Sequence, residues 1–165
     1  MDRQLIKGEY FFDITIFTMF GLHNIKVGNH NIVLNNGISY FLNRWIGNDD
    51  DLVGKIAIGT GEGEVEPSQN SLFEPVKDSL GNQLYIIPDR IYIDDNKLIL
   101  TCDTNGSMLN NTTEIGVCTS TNEILLSKDV HPIYEMPTTA IVKLDYIFTL
   151  ISVDNSIDED MEEWE

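Results

Sequence analysis

A two-residue rhythm near both ends of the sequence constrains the fold most. From Ile141 to Val153, the residues Val142, Leu144, Tyr146, Phe148 and Leu150 fall on alternate positions, while Lys143, Asp145 and Thr149 share the other side with Ile147 and Ile151. From Glu9 to Thr18, Tyr10, Phe12, Ile14 and Ile16 alternate with Phe11, Asp13, Thr15 and Phe17. Successive side chains on a pleated strand point to opposite faces, so a period of two rich in β-branched and aromatic residues specifies strands with one buried face. A strand of about thirteen residues exceeds the usual five or six and belongs in the centre of a sheet. Phe11 and Phe17 make the outer face of 9–18 partly apolar, which predicts that it meets another element or another chain.

Between these strands the punctuation is mostly that of a β protein. The run Leu22–Val27 is expected to end in a turn at Gly28-Asn29, with Ile32, Val33 and Leu34 as a short strand after it. One helix is expected: Asn36 caps it, and Ile38, Phe41, Leu42, Trp45 and Ile46 form an apolar stripe that ends at Gly47 and buries Trp45 against a sheet. Asn48–Asp51 reads as a polar loop. Ile91–Ile93 and Leu98–Cys102 read as a hairpin. Asp103–Asn111, with Asn105-Gly106, reads as a loop; Glu114–Thr119 and Ile124–Leu126 flank a turn at Thr121-Asn122-Glu123, and 128–138, with two prolines, is a connection. The expected fold is mainly β, an antiparallel β-sandwich with one short helix packed on it. Residues 1–153 form its single domain and 154–165 an acidic C-terminal tail.

Charge narrows the choice of partner. The chain carries 27 acidic and 10 basic residues, a net charge of −17, and seven of the acids lie in the last twelve residues. A surface so short of Lys and Arg cannot release counterions from a phosphate backbone, which excludes nucleic acid. No run of about 20 apolar residues is present to span a bilayer, and the first residues lack the apolar core of a signal peptide, so the expected place of synthesis is a cytoplasm. Ile157, Met161 and Trp164 are the candidate anchors of the tail, with a neighbouring subunit as the simplest holder. Cys102 and Cys118 sit in expected strands as buried free thiols.

The stretch 55–76, KIAIGTGEGEVEPSQNSLFEPV, organises the middle of the chain. A short apolar strand runs into glycines on alternate positions, Gly59, Gly61 and Gly63, then into Pro67. Ser68 is expected to cap a helical turn anchored by Leu72 and Phe73. The glycines do not make a nucleotide site: no Lys followed by Ser or Thr comes after them, no helix opens at them, and Glu62, Glu64 and Glu66 would repel phosphate. Neither those acids nor Asp49, Asp50 and Asp51 have the spacing of a calcium loop. His23, His30 and His131 are scattered without a zinc spacing and read as surface or loop residues. No cofactor and no metal is expected, and an enzyme has no residues to stand on.

The order Ile58, Gly59, Thr60, Gly61, then Pro67-Ser68, then Leu72 and Glu74, resembles a pattern of small structural proteins of tailed bacteriophages. Residues 113–130, marked by Glu114, Ile115 and Gly116, look like the same family's later strand, turn and strand, and 141–153 is similar to its closing strand. Together the three pieces cover about a third of the chain. The resemblance implies a non-enzymatic virion protein, one subunit of a ring or other symmetric assembly in the tail or head-to-tail region, made in the host cytoplasm. Its partners would be other virion proteins and further copies of itself, met through Gly59, Gly61, Gly63, Phe73, Met161 and Trp164. A capsid decoration protein is the alternative within that class. A carbohydrate- or peptide-binding β-sandwich module on a fibre is the alternative outside it, and would show an exposed Trp or Tyr in a groove.

Overall fold

The computed structural model describes residues 6–151. The expectations for the tail, including Met161 and Trp164, lie outside the described residues. Nine strands and two helices follow in order: β1 (Ile6–Thr18), β2 (Gly21–Val33), α1 (Asn35–Trp45), β3 (Val53–Gly59), β4 (Tyr85–Ile86), β5 (Arg90–Asp94), β6 (Lys97–Asn105), α2 (Gly106–Leu109), β7 (Glu114–Thr119), β8 (Leu125–Val130) and β9 (Ile141–Leu150). The fold is mainly β. Every strand pairing is antiparallel, in the order β4-β3-β7-β8-β2-β1-β9-β6-β5. The long strand β2 joins the two halves of this curled sheet: Gly21–Asn31 pair with β1, and only Ile32 and Val33 pair with β8.

Strand β9 lies between β1 and β6, so its inward residues are enclosed from both sides. Val142, Leu144 and Tyr146 are fully buried, as the alternation predicts, whereas Leu150 is half exposed where the ladder ends. Their cluster includes Tyr10, Phe12 and Ile14 from one half and Ile56, Ile58, Ile115 and Val117 from the other, so both halves share one core. Cys102 and Cys118 are free and buried within it or beside it. The β5–β6 hairpin forms as expected, closed by Asp95 in the left-handed region and Asn96.

Several local expectations are corrected. Gly28-Asn29 is not a turn, because β2 runs through it; the Phe11 ring occupies the space that a Cβ on Gly28 would need. The turn comes earlier, at Met19-Phe20, where Gly21 takes φ +120°. Asn105-Gly106 starts helix α2, with the Asn105 side chain accepting from Met108 N at 3.0 Å. No helical turn follows Ser68. Strand β8 reaches Val130, so the connection begins at His131.

Helix α1 forms where its spacing predicts, but rotated. It starts at Asn35 without a side-chain cap, Asn35 N donating instead to the Pro67 carbonyl at 2.8 Å. The buried side is Gly37 and Tyr40, with Phe41 packed edge-on against Phe148 at 5.6 Å between ring centroids. The expectation that Trp45 is buried is overturned: it is 67% exposed, and Ile46 is 71% exposed. The physical reason is close approach. Gly37 has no Cβ, so the helix backbone settles against the Leu126 carbonyl, and the Tyr40 hydroxyl donates to the Asp51 carbonyl at 2.6 Å.

Asp51 is not solvated loop charge either. Its carboxylate is buried and accepts from Thr121 N and Asn122 N, each at 2.9 Å, tying the α1–β3 loop to the β7–β8 turn. Burial works against its charge, yet the donors on Asn122, Thr119 and Thr121 outweigh that and hold its pKa down at about 2. Replacing Asp51 by Ala leaves two amides without their acceptor and should cost about 1–3 kcal/mol in urea unfolding. A loss of a few tenths would show that water replaces the carboxylate freely.

Candidate functional site

The three expected contact glycines and Phe73 do come together, around a residue that composition does not single out. Strand β3 ends at Gly59, and the chain from Thr60 to Val76 folds back beside it: Thr60 N donates to Glu74 O at 2.8 Å and Val76 N to Ile58 O at 3.0 Å. At the centre lies Glu114, the first residue of β7, fully buried. Its Oε1 accepts from Phe73 N at 2.6 Å, and its Oε2 accepts from Gly61 N and Glu74 N, each at 2.9 Å. Thr113 completes the clamp, its N donating to Gly59 O at 2.9 Å and its hydroxyl to Gly61 O at 2.6 Å.

The glycine spacing follows from this packing. Alternate positions of extended chain face the same way, and here that way is toward Glu114 and Phe73. A Cβ on Gly59 would overlap the Glu114 carboxylate, and one on Gly61 would overlap Phe73 and crowd the Glu74 amide. Gly63 takes φ +141° and would put a Cβ 3.1 Å from the Phe73 ring. Gly59 and Gly61 are buried within the chain, while Gly63, Glu62, Glu64 and the partly exposed Phe73 form the outer surface of the loop.

Beside Glu114, on the neighbouring strand β8 and opposite Gly116 in register, stands Lys128. Both side chains are fully buried, Nζ lies 3.5 Å from Glu114 Oε1 and donates to Ser71 O at 3.2 Å, and it sits 3.7 Å from the centroid of the Phe73 ring. Burial lowers the Lys128 pKa from its ordinary value, against the pull of the Glu114 carboxylate. Phe73 is therefore held by the hydrogen bond its backbone N–H donates to Glu114 and by a cation on its ring face, which fixes a partly exposed aromatic in one place. Sequence reasoning missed Lys128 and saw Glu114 only as a mark of resemblance. The available signal was weak: Glu114 opens the otherwise uncharged run EIGVCT, and Lys128 follows the apolar Leu125-Leu126 in LLSKDV.

A second polar seam runs through the core. Tyr10 OH donates to Asp129 Oδ2 at 2.5 Å, Ser127 Oγ is 2.7 Å from Tyr146 OH, and Asn31 Nδ2 donates to the same hydroxyl. His131, expected at the surface, is 4% exposed and stacked on Tyr134. Its Nδ1 lies 2.8 Å from Pro132 O and so carries the proton, leaving a buried Nε2 without a partner among the described residues. Burial lowers the His131 pKa below its ordinary 6.5. In the window below that value the unfolded chain binds a proton that the folded chain refuses, so stability falls as pH drops through about 6.5. Asp129 and Asp145, whose carboxyls burial raises, act in the opposite sense near their own lower range. Melting curves from about pH 7.5 to 5.5 should show Tm falling in the native chain, with His131→Phe flattening the fall. Equal slopes in the two proteins would remove His131 from the account.

A third feature is an apolar groove of about 110 Å³ where α1 meets the β5–β6 hairpin, lined by Phe41, Trp45, Ile93, Leu98 and Phe148 among others. Among the described residues no group of three or more His, Cys, Asp or Glu is placed to hold a metal ion, and no helix is long and apolar enough to cross a membrane. No family model matches the chain, and neither the curated proteins nor the solved structures contain a match to it.

Proposed function

We propose that the protein is a non-enzymatic structural component of a tailed-phage virion, one subunit of a symmetric assembly in the tail or head-to-tail region. The observation that carries this reading is the clamp at Glu114. The first two stretches on which the phage resemblance rests, 55–76 and 113–130, are 36 residues apart in sequence, yet Glu114 and Lys128 of the second grip Gly61, Ser71, Phe73 and Glu74 of the first. Residues that share a pattern because they build one unit are expected to touch. In this reading the two sheet halves close as a sandwich to give a rigid body, and the clamp presents Gly63 and Phe73 to a neighbouring virion protein. Immunogold labelling of purified particles tests it. Label on the tail or neck supports the reading, label over the outer shell moves the protein to capsid decoration, and particles without label overturn both.

One observation favours a second reading. Trp45 is exposed beside the apolar groove, where a carbohydrate- or peptide-binding module on a fibre would place it. Titration with oligosaccharides or extended peptides, followed by Trp fluorescence, should leave the emission of Trp45 unchanged under the assembly reading. A saturable shift abolished by Trp45→Ala would favour the fibre module.

A further inference from the structure

Two open sheet edges lie at opposite ends of the five-strand half β2-β1-β9-β6-β5. The first is β2. Leu34 N donates to Leu126 O and Ile32 stands opposite Lys128, so even-numbered residues here aim their main-chain groups away from β1. Register with β1 is unbroken from Asn31 to Gly21, which sets the N–H and C=O groups of Leu22, Asn24, Lys26 and Gly28 along an edge that pairs with no strand among the described residues. At His30 the edge closes, because the Asn29 side chain accepts from His30 N at 2.9 Å. The second edge is β5, Arg90–Asp94, with Ile91 and Ile93 exposed.

Charge distinguishes the two. In a chain of net charge −17, residues 14–48 contain no acid, and β2 carries Lys26, His23 and His30. On β1, Asp13 stands opposite Lys26 and Glu9 opposite His30, so this surface is close to neutral where the rest of the chain is acidic. Strand β5 contains Arg90 and Asp94 and lies between Asp89 and Asp95, so this edge is net acidic. The β2 hairpin also ends in an apolar tip, Met19 and Phe20, each about nine-tenths exposed, while the apolar groove at Trp45 and Ile93 adjoins the end of β5.

We infer that copies of this chain join head to tail, the β2 edge of one pairing antiparallel with the β5 edge of the next. An exposed edge is a template for strand addition. In the antiparallel sense the start of β2 lies beside the end of β5, which brings Met19 and Phe20 of one copy to the Trp45 groove of the next. The contact uses a different patch on each side, so it repeats and closes into a ring when the rotation allows. In a β2-to-β2 contact the facing strand would offer Lys26 no carboxylate, because β2 contains none. The inference rests on the assembly reading above and deepens it.

The test separates the two. Full-length chain is examined by native mass spectrometry, and Asn24→Cys and Ile91→Cys variants are mixed under mild oxidation. Cys102 and Cys118 are buried and burial pushes both thiols up to about 12, so they do not compete. The expected result is a closed oligomer, with the mixed 24–91 cross-link at least about tenfold above either variant alone. Lys26→Glu and, separately, Phe20→Asp should each weaken association by about tenfold or more with unchanged circular dichroism. An oligomer that cross-links only through 24–24 overturns the head-to-tail contact and leaves the assembly reading standing. A monomer at all concentrations overturns both, as does recruitment to lipid vesicles through Phe20 without self-association.

Discussion

Lys128→Met should destabilise the folded chain by about 3–5 kcal/mol, the largest loss expected from any single charged side chain here. The cation costs free energy to bury, but the cost is already met in the native fold by Glu114, Ser71 O and the Phe73 ring. Removing it leaves the Glu114 carboxylate in an apolar interior with three amide donors and no counter-charge. Glu114→Gln should be similarly damaging, because one of its two oxygens becomes an NH2 group that faces a backbone N–H. The double variant should cost less than the sum, since neither charge is then stranded. Urea unfolding of the four proteins measures this directly. A Lys128→Met loss below about 1 kcal/mol would mean that water reaches the pair and that the clamp does not hold the Thr60–Val76 segment in place.

The second large effect is expected at Gly61. Gly61→Val forces branched carbons into space held by Phe73, the Glu114 carboxylate and the Glu74 amide. Overpacking of this kind costs about 1–3 kcal/mol, and the clamp's hydrogen bonds cannot all survive the shift that relieves it. Because the strain is local, the Thr60–Val76 segment should open before the core does. Limited proteolysis would then cut within 62–72 many times faster in the variant, while the β1–β9–β6 ladder keeps its protection. Equal cutting in both proteins would show that the glycine is a convenience of the turn. Gly63→Ala, at the outer and more exposed position, should be milder but still unfavourable through its φ of +141°.

The legible parts of the sequence were those governed by one physical rule at a time. Period-two burial placed β9 and the inward face of β1, because each has one buried face and one that is not. Strand β7 hid its role because all six of its residues are buried, so alternation carries no information there. The apolar stripe of α1 found the helix and misjudged its rotation. Hydrophobicity favoured Trp45, but the closest approach to the sheet belongs to Gly37, which has no side chain to count. The glycines 59, 61 and 63 were recognised as special, and their partner was not, since contact across 53 residues between Gly61 and Glu114 leaves no local trace. His131 was misplaced for a similar reason: its burial comes from Tyr10, Phe12 and Tyr134, two of them on the far side of the chain.

Strand β9 leaves the ribosome after the other eight, yet it is the piece that β1 and β6 both require as a neighbour. Until residue 150 has been made, one of the earliest strands and the sixth wait with vacant flanks, and that half of the body has nothing to close it. The β1–β9 pairing joins the two ends of the described chain, so this half of the sheet is completed by a late, non-local contact of the kind that slows folding.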